Sequence, residues 1–335
     1  MPEHMPGRTG GATGRDVAVS VVIACFDGER TLGAQLDALS AQRDAPTFEV
    51  IVADNGSTDG SAALARGYAD RLDIRVVDAS QVRGPAHARK RGVAVARGAH
   101  IAFCDADDVV APDWVATMHA ALQVDGFVAG RVDVHRLNER TRVSGVETSR
   151  DMEQVQGLQA SGTGVDLPHA GAGNMGVHKA VFEAVGGFDT SLRCLEDSDL
   201  CWRIQLAGTP LVFHPEVLIH TRLRHTWGAM ARQAYGYGRS FAQLEARYGR
   251  RPDAPAQQQA EPTPTGVSPL ARASRLVREL CDGGAGHAVW HGAWHLGHWV
   301  GGRGSAQGQV EKLPTSHRNP GPGAHPRRTA GPRAA

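Results

Sequence analysis

The chain has 335 residues, of which 41% are hydrophobic and 5% aromatic, and its formal net charge is +1. That length accommodates one large domain or two small ones around a sizeable core. The near-zero charge argues against a dedicated nucleic-acid binder, in which basic residues normally exceed acidic ones by a wide margin. No apolar run approaches the roughly 18 residues of a membrane span. Because the N-terminus also lacks the apolar centre of a signal peptide, we expect a cytoplasmic protein.

Apolar runs alternate with helical patterns over the first hundred residues. The first run, at 17–25, is nearly continuous in apolar side chains, as in a strand that is buried on both faces of a parallel sheet. We predict strands at 17–25, 48–53, 74–77 and 100–104, and helices at 29–42, 61–69 and 86–96. This order with short connections predicts an α/β fold with a doubly wound, mostly parallel sheet.

The rest of the chain divides into segments of different composition. A helix is predicted at 114–122 and a strand at 126–134, and regular patterning returns at 174–248 after a polar loop region. Pro/Gln-rich and Gly/Arg-rich stretches have too little apolar content for a core. We therefore expect a disordered tail (1–16), one folded domain (17–250), a linker (251–275), a short amphipathic helix (276–302) and a flexible basic tail (303–335).

Two acidic loops follow predicted strands. Asp54 comes directly after the second strand, and Asp105 and Asp107 follow the fourth. Because ligands of open α/β sheets bind outside the carboxyl ends of the strands, we expect these loops to line one cleft. Asp54 is suited to hydrogen bonding with a base or ribose, and an ordinary strand-to-helix turn is the alternative.

The sequence around Asp105 reads Cys-Asp-Ala-Asp-Asp, which places three carboxylates at one strand end. Asp105 and Asp107 can converge on one point if the chain turns there. Oxygen ligands of this kind suit Mg²⁺ or Mn²⁺, which usually keep positions open for substrate phosphates. A solvated turn or a helix N-cap is the alternative explanation.

Seven motifs in order resemble family 2 of the inverting glycosyltransferases, which have the GT-A fold. They extend over residues 17–227. From the N-terminus they are VSVVIAC, DNGSTDGS, GPAHARKRGVAVARG, FCDADDVVAPDW, GAGNMGVHKAVFEAVGGFD, LEDSDLCWRI and PEVLIHTR. The resemblance implies a nucleotide-diphosphate sugar bound by the first half of the domain and an acceptor bound by the second.

The resemblance also implies donor contacts residue by residue. Asp54 would contact the nucleotide base, as would backbone groups of Ala24 at the end of the first strand, and Arg89 would lie near the nucleotide. Asp105 and Asp107 match the DxD-type motif of the family. Asp107 would be the more direct ligand of Mg²⁺ or Mn²⁺.

A second acidic pair, Glu196 and Asp197, precedes a helical pattern. Its structural explanation is a helix N-terminus, where acidic side chains cap free N–H groups and complement the helix dipole. The resemblance implies instead that Asp197 is the catalytic base, with Glu196 as the second choice or as an acceptor contact. Direct displacement at an anomeric carbon needs a base, because the acceptor hydroxyl loses its proton as it attacks.

Four further residues are candidates for the acceptor or diphosphate side of the site. Gly173 and Asn174 resemble the loop that precedes the acceptor in the family, and a tight turn into a strand is the alternative. Arg203 is placed to meet the diphosphate or to face outward from its helix. His220 matches a histidine at the corresponding strand end, as a metal ligand or as a structural residue.

The resemblance implies non-processive transfer, since the QxxRW motif of the processive synthases does not follow the acidic pair. The acceptor would be a saccharide or a lipid-linked saccharide of cell-wall or polysaccharide biosynthesis. A sugar nucleotidyltransferase is the enzyme alternative, although the Gly-rich basic loop expected after its first strand is missing. A catalytically silent scaffold that binds nucleotide sugars is the other alternative, and the intact acidic motifs argue against it.

The helix predicted near the C-terminus carries His287, His291, His295 and His298. These histidines fall within about 80° on a helical wheel, so we predict a polar stripe opposite an apolar arc that includes Leu296. Metal binding at the i, i+4 spacing is the alternative. Residues 303–335 carry six basic side chains and one acidic one. We therefore expect residues 276–335 to make a peripheral contact with an anionic membrane.

Overall fold

Eight strands join into one sheet whose N-terminal half follows the predicted alternation of strands and helices. The computed structural model describes residues 16–138, 158, 165, 167–224, 226–249, 286 and 288–303. The N-terminal half consists of β1 (Val19–Cys25), α1 (Glu29–Ser40), β2 (Phe48–Asp54), α2 (Ser61–Arg66), β3 (Ile74–Asp78), α3 (Pro85–Val95) and β4 (His100–Asp105). Each of these elements begins and ends within three residues of its predicted bounds.

The C-terminal half of the sheet is mixed in strand direction. It consists of β5 (Val109–Val110), α4 (Trp114–Val124), β6 (Phe127–Asp133), β7 (Asn174–His178), α5 (Lys179–Ala184), α6 (Glu196–Leu206), β8 (Val212–His220) and α7 (Trp227–Tyr248). A further helix, α8, covers residues 288–303. The expected tail up to residue 15, most of the polar loop after 138, the linker at 251–275 and the basic tail after 303 lie outside the described residues.

The strand order is β3-β2-β1-β4-β7-β6-β8-β5. Strands β1 to β4 are mutually parallel where they pair, and β6 is parallel to β8. In contrast, β7 runs antiparallel to β4 and β6, and β5 runs antiparallel to β8. Because the chain continues from β1 to one side and returns at β4 on the other, the carboxyl ends of β1 and β4 form a topological switch point. The predicted α/β class with a mostly parallel sheet is confirmed.

Successive side chains of the buried strands fill two cores, one on each face of the sheet. In β1, Val21 and Ile23 pack in the core that contains Leu36 of α1. Val22 belongs to the opposite core with Val93 of α3. The two-residue period of a strand sends neighbours to opposite faces, so a nearly continuous apolar run is required where helices cover both.

Helix α8 packs directly against α7, and glycines make the approach possible. A Cβ atom on Gly238 of α7 would overlap the carbonyl oxygen of Trp294, and one on Gly297 would overlap that of Tyr235. The Phe241 ring lies 5.6 Å from the Trp294 ring, centroid to centroid. The predicted helix is therefore present in the described residues and is docked on the folded domain.

The orientation of α8 corrects the predicted polar stripe. His298 contacts Glu245 of α7, with Nε2 and Oε2 2.7 Å apart, so this histidine faces the domain. Leu296 and Trp299 are 55% and 50% exposed. The predicted partition failed because the glycine face and the aromatic rings, not the hydrophobic arc alone, decide which side packs on α7. His287 lies outside the described residues. None of the described helices has an apolar stretch long enough to cross a membrane.

Candidate active site

The ends of three parallel strands bring the two predicted acidic loops together. In the strand register, Cys25 pairs with Asp54 across β1 and β2. Ala24 pairs with Asp105 across β1 and β4. The two aspartates therefore flank the end of β1, and the backbone of Ala24 lies between their strands, as expected from the position of the strand ends.

Asn55 organises the loops on the side of Asp54, and the sequence alone did not indicate it. Its Nδ2 donates to the carbonyl oxygens of Ala79 and Val82 at 2.5 and 2.8 Å. Its Oδ1 accepts from the backbone N–H of Gly84 at 2.8 Å. The buried amide thus fixes the loop after β3, including Gly84, whose φ of 135° suits glycine. An Asn directly after a strand-end Asp was the available signal.

The Asp54 loop is closed and carries an exposed aromatic ring beside it. The Asp54 Oδ1 accepts from the backbone N–H of Ser57 at 3.0 Å. Phe26, directly after β1, is 50% exposed, and the Arg83 guanidinium lies 4.2 Å from its ring centroid. A flat, exposed cation–π pair at this edge offers a surface on which a planar ligand can stack.

Arg89 of α3 connects the two acidic motifs. Its Nη2 lies 2.6 Å from Asp105 Oδ1, and its Nη1 lies 2.8 Å from Glu196 Oε1. Arg89 and Glu196 are each 5% exposed. Burial opposes the charge of Arg89, yet the charges of Asp105 and then Glu196 hold its pKa above the usual value. The guanidinium therefore stays positive between the carboxylates.

The pKa of Glu196 is raised to about 7, mainly by burial and then by the charge of Asp197. Arg89 lowers it but shares its charge with Asp105. Glu196 consequently holds a proton more readily than an exposed carboxylate would.

Asp197 is held by backbone donors. Its Oδ2 accepts from the N–H of Ala172 at 3.2 Å, and its Oδ1 accepts from the N–H of Ser198 at 2.8 Å. The preceding residue, Leu195, has a φ of 58°, in the left-handed region that bulky side chains avoid. Such strain costs about 1–3 kcal/mol and concentrates at functional sites. The orientation of Asp197 is thus imposed by its surroundings.

The acidic turn after β4 is covered by the segment that follows β8. Asp108 is buried, and it accepts from Thr221 Oγ1 at 3.0 Å and from the Arg222 N–H at 2.9 Å. The Oδ2 of Asp107 lies 2.8 Å from Arg224 Nη1. Asp107 is therefore half-buried beside Arg224, whereas the buried side chain of Asp108 holds the turn together.

The electrostatics of this turn suit a cation. Burial and then the charge of Asp105 raise the pKa of Asp107, against the opposing effect of Arg224. Burial and the charges of Asp105 and Asp107 raise that of Asp108 well above its usual value. In the part of the chain that the structure describes, no three His, Cys, Asp or Glu side chains form a ready metal cluster. Mg²⁺ and Mn²⁺ need only one or two carboxylates when phosphates complete the shell, so Asp107 with Asp105 fits.

Gly173 and Asn174 differ in what they contribute. A Cβ on Gly173 would lie 3.0 Å from Asp105 Oδ2, so glycine lets the backbone approach the acidic turn. The Asn174 side chain is buried. It accepts from Trp114 Nε1 at 2.7 Å and donates to the Val217 carbonyl at 2.8 Å. Its amide therefore holds the sheet together, and only its backbone borders the site.

His220 and its partners form a separate group at the end of β8. Its Nδ1 lies 2.6 Å from Asp133 Oδ2, and its Nε2 lies 3.0 Å from Arg136 Nη1. Both ring nitrogens are thus engaged away from Asp107. In the described residues the imidazole contacts Asp133 and Arg136 and not the carboxylates of the acidic turn, although the β5–β8 pairing places His220 opposite Val109, two residues after Asp107.

Arg203 is not brought to the acidic turn either. Its Nε lies 2.7 Å from Asp199 Oδ2, and its Nη1 donates to the Val185 carbonyl at 2.8 Å. The i, i+4 spacing on α6 favours this pairing with the fully buried Asp199. Arg203 is thus held in an ion pair with Asp199, and its contact with a diphosphate stays a prediction.

The chain matches the sequence model of a known protein family. The model of glycosyl transferase family 2 matches residues 20–186, from β1 to just beyond α5. The chain belongs to glycosyl transferase family 2. The match contains Asp54, Arg89 and the acidic turn, but it ends before Glu196 and Asp197, so the second acidic pair lies outside it.

Relatives with glycosyltransferase names share this part of the chain. Over 212 residues the chain is 31% identical to the pre-mycofactocin glycosyltransferase of Mycobacterium tuberculosis, which covers 60% of this chain and 43% of that protein. Over 208 residues it is 27% identical to glycosyltransferase AglE of Haloferax volcanii, covering 60% of this chain and 65% of that protein. The chain spans less than two thirds of the length of these family members.

A solved structure shows the same fold over most of the chain. The mannosyltransferase PcManGT from Pyrobaculum calidifontis, in complex with GDP-Man and Mn²⁺, superposes with a TM-score of 0.58 at 20% identity. The superposition covers 86% of this chain and 88% of that one. The expected GT-A fold is thereby confirmed for this family 2 chain.

Proposed function

We propose that the protein transfers a sugar from a nucleotide-diphosphate sugar to a hydroxyl group of an acceptor, with inversion at the anomeric carbon. The observation that carries this proposal is the buried Arg89 bridge between Asp105 and Glu196. Through this bridge, the strand end with Asp105 lies beside the acidic pair that contains Glu196. A single displacement needs a donor site and a base, and the residues that resemble each of them are then in one site.

In the proposed reaction, Asp197 takes the proton of the acceptor hydroxyl as the oxygen attacks the anomeric carbon. The new carbon–oxygen bond forms on the face opposite the departing nucleoside diphosphate, whose bond to the same carbon breaks. The two backbone N–H groups on Asp197 fix the direction from which it accepts the proton. Glu196, held by Arg89, is the alternative base or an acceptor contact.

The donor would lie along the edge formed by β1, β2 and β4. Asp54 and the backbone of Ala24 are proposed to contact the base, and Arg89 to lie near the nucleotide. Asp107 and Asp105 would hold Mg²⁺ or Mn²⁺, which neutralises charge on the leaving diphosphate. Use of a divalent cation is supported by the Mn²⁺ named for the similar mannosyltransferase.

Three candidates have weaker support in this arrangement. A metal role for His220 would require its contacts with Asp133 and Arg136 to open. Gly173 and the backbone of Asn174 are proposed to border the acceptor. The acceptor itself is proposed to be a saccharide or a lipid-linked saccharide of cell-wall or polysaccharide biosynthesis, extended by one sugar at a time.

Two variants test the division of labour. Binding of UDP-glucose, UDP-GlcNAc and GDP-mannose with Mn²⁺ is measured by thermal shift, since a bound ligand raises apparent stability. Asp107→Asn should abolish the Mn²⁺-dependent shift. Asp197→Asn should keep the shift and lower transfer by about 10²–10⁴-fold, the usual contribution of a general base. Asp70→Asn, an exposed aspartate after α2, serves as the control. Equal loss of binding in the first two variants would contradict the assignment.

The products distinguish the alternatives. Sugar transfer releases a nucleoside diphosphate, whereas a nucleotidyltransferase releases pyrophosphate from a nucleoside triphosphate. A scaffold that only binds nucleotide sugars releases neither product, because it does not transfer the sugar even to water. Slow formation of UDP or GDP from the bound donor therefore favours the proposed transfer over both.

We also propose that residues 276–335 touch an anionic membrane, which would leave the enzyme cytoplasmic and peripheral at the inner membrane face. The exposed side of α8 carries Leu296 and Trp299, and the Arg303 guanidinium lies 3.7 Å from the Trp299 ring centroid. Tryptophan and basic residues favour the interface of anionic lipids.

The full chain should sediment with phosphatidylcholine vesicles only when they contain phosphatidylglycerol. Trp299→Ser should reduce the sedimented fraction severalfold, whereas Val124→Ser, at a site that is 80% exposed on α4, should not. Unchanged sedimentation of the Trp299 variant would exclude this contact.

A further inference from the structure

The segment 221–224 is fastened to the acidic turn by three contacts that use buried or backbone groups. Thr221 Oγ1 and the Arg222 N–H donate to the two carboxylate oxygens of Asp108 at 3.0 and 2.9 Å. The Arg222 Nε donates to the carbonyl oxygen of Asp107 at 3.2 Å. Because Asp108 is only 3% exposed, these contacts form the fixed part of the segment.

The fourth contact of the segment has a different character. The side chain of Arg224 is 52% exposed and that of Asp107 is 28% exposed, with 2.8 Å between Nη1 and Oδ2. Within the described ranges, this is the ion pair that the structure gives Arg224. An exposed pair contributes little to stability, so it can be broken at low cost. Arg89, buried between two carboxylates, has no such freedom.

Arg224 therefore occupies the carboxylate that is the proposed metal ligand. A divalent cation on either oxygen of this carboxylate would lie within a few ångströms of the guanidinium, and the two positive charges repel each other. We propose that Arg224 and the cation exchange on Asp107, and that the released guanidinium then binds the diphosphate of the donor. This inference rests on the proposed function, and it assigns a role to a residue beyond the family match at 20–186.

The position of Arg224 fits both parts of this exchange. The contacts of Thr221 and Arg222 hold the chain two residues away, so a released side chain stays near the acidic turn. The planar guanidinium presents paired donors that match phosphate oxygens. As the bond between the anomeric carbon and the leaving oxygen breaks, the electron pair goes to the diphosphate, and Arg224 would stabilise that growing charge.

If Arg224 and the cation exchange on Asp107, removal of the Arg224 side chain should change the affinities for Mn²⁺ and for nucleotide in opposite directions. In Arg224→Ala, Mn²⁺ alone should bind the nucleotide-free protein about two- to fivefold more tightly, because its competitor for Asp107 is gone. UDP or GDP, with Mn²⁺ at saturation, should bind about tenfold more weakly, because a charge-assisted contact is lost. Electron paramagnetic resonance of free Mn²⁺ measures the first affinity, and titration calorimetry measures the second.

Arg71 offers a closely matched control. Its Nη1 lies 2.8 Å from Asp37 Oδ1, and its side chain is 52% exposed, as in Arg224. Arg71→Ala should change neither affinity. Arg224→Lys keeps the charge without the fork, so its Mn²⁺ affinity should stay near that of the wild type while nucleotide affinity falls.

The outcomes separate this inference from the proposed function. If the wild-type protein binds Mn²⁺ and nucleotide but Arg224→Ala shifts both affinities in the same direction, or shifts neither, the exchange is wrong and the proposed function stands. If the wild-type protein binds neither Mn²⁺ nor UDP and GDP, the proposed function fails and the exchange fails with it.

Discussion

The N-terminal half, β1 to β4 with α1 to α3, and the C-terminal half, β5 to β8 with α4 to α8, build their parts of the site differently. In the N-terminal half, backbone register alone sets Asp54 and Asp105 beside the end of β1. In the C-terminal half, side chains reach across the fold. Arg89 meets Glu196 over 107 positions of sequence, and Arg224 meets Asp107 over 117. A register follows from a local pattern, whereas such bridges exist only once the chain has folded.

The two halves meet where β4 pairs with β7. The two ends of this strand pair differ in the side chains that they bring together. At the end near the site, Cys104 pairs with Asn174, next to the charged groups that Arg89 connects. At the opposite end, His100 pairs with His178, and their rings stack with centroids 4.8 Å apart. Opposite charges thus lie at the site end of this pair, and stacked rings lie at the other end.

The largest expected effect comes from removing the bridge between the halves. Arg89→Met leaves Asp105 and the buried Glu196 without their shared cation, so the free energy of unfolding should fall by about 3–5 kcal/mol. Urea denaturation measures the loss. Arg71→Met, which removes an exposed pair, should cost about 1 kcal/mol or less.

A second substitution shows whether unpaired charge is the cause. The double variant Arg89→Met with Glu196→Gln should recover part of the loss, because it no longer buries an unpaired carboxylate at position 196. If Arg89→Met costs no more than Arg71→Met, the buried bridge does not join the halves.

An intermediate effect is expected where α8 joins the C-terminal half. Gly297→Ala introduces a methyl group into the Tyr235 backbone of α7 and should destabilise the protein by about 1–3 kcal/mol. Hydrogen exchange of the 288–303 amides should rise with it. Gly292→Ala, where nothing lies within 4 Å, should leave the packing intact and stabilise α8 by up to about 1 kcal/mol. Equal behaviour of the two variants would show that α8 is not docked through its glycine face.

The smallest effect concerns acid stability at the histidine end of the β4–β7 pair. Burial, and then the rings of His178 and His119, lower the pKa of His100 to about 4 from 6.5. The folded protein keeps His100 neutral while the unfolded chain takes up a proton, so stability should fall as the pH drops from about 6.5 towards 4.

Substitution of His100 measures how much this residue contributes to the loss of stability at low pH. His100→Asn should show a smaller loss of unfolding free energy between pH 7.5 and 5 than the wild type, by about 1–2 kcal/mol. Urea titrations at the two pH values measure it. His87→Asn on α3, whose ring contacts Gln81, should behave like the wild type. If the wild type and His100→Asn lost the same unfolding free energy, His100 would not be a cause of the acid sensitivity.

The sequence predicted much of the N-terminal half because its signals are local. Apolar runs, short connections and strand-end aspartates together indicated the sheet and the placing of Asp54, Asp105 and Asp107 at the carboxyl ends of its strands. The predicted polar stripe of α8 includes His298, which contacts Glu245 of α7, because hydrophobic periodicity does not register the close approach that Gly238 and Gly297 permit.

The sequence alone also did not show which of two residues of the same type lies at the candidate site. Arg203 was a candidate because it follows the acidic pair and Arg224 was not a candidate, yet of the two it is Arg224 that contacts the acidic turn. Asn55 and Asn174 both stand at strand ends, yet one orders the loop after β3 and the other spans the sheet. Their partners lie in other segments, so no local pattern distinguishes them.

The amino-acid sequence by itself determined the class of fold and, through its ordered motifs, the family, and it predicted the edge of the sheet that carries the candidate site. The fold class and that edge follow from the two-residue period of strands and the direction of parallel strands, which are properties of short segments. Only the tertiary structure decided that Arg89 bridges the two acidic motifs, that Arg224 occupies Asp107, and that α8 is docked on α7. Each of these depends on groups that are distant in sequence and meet only when the helices pack.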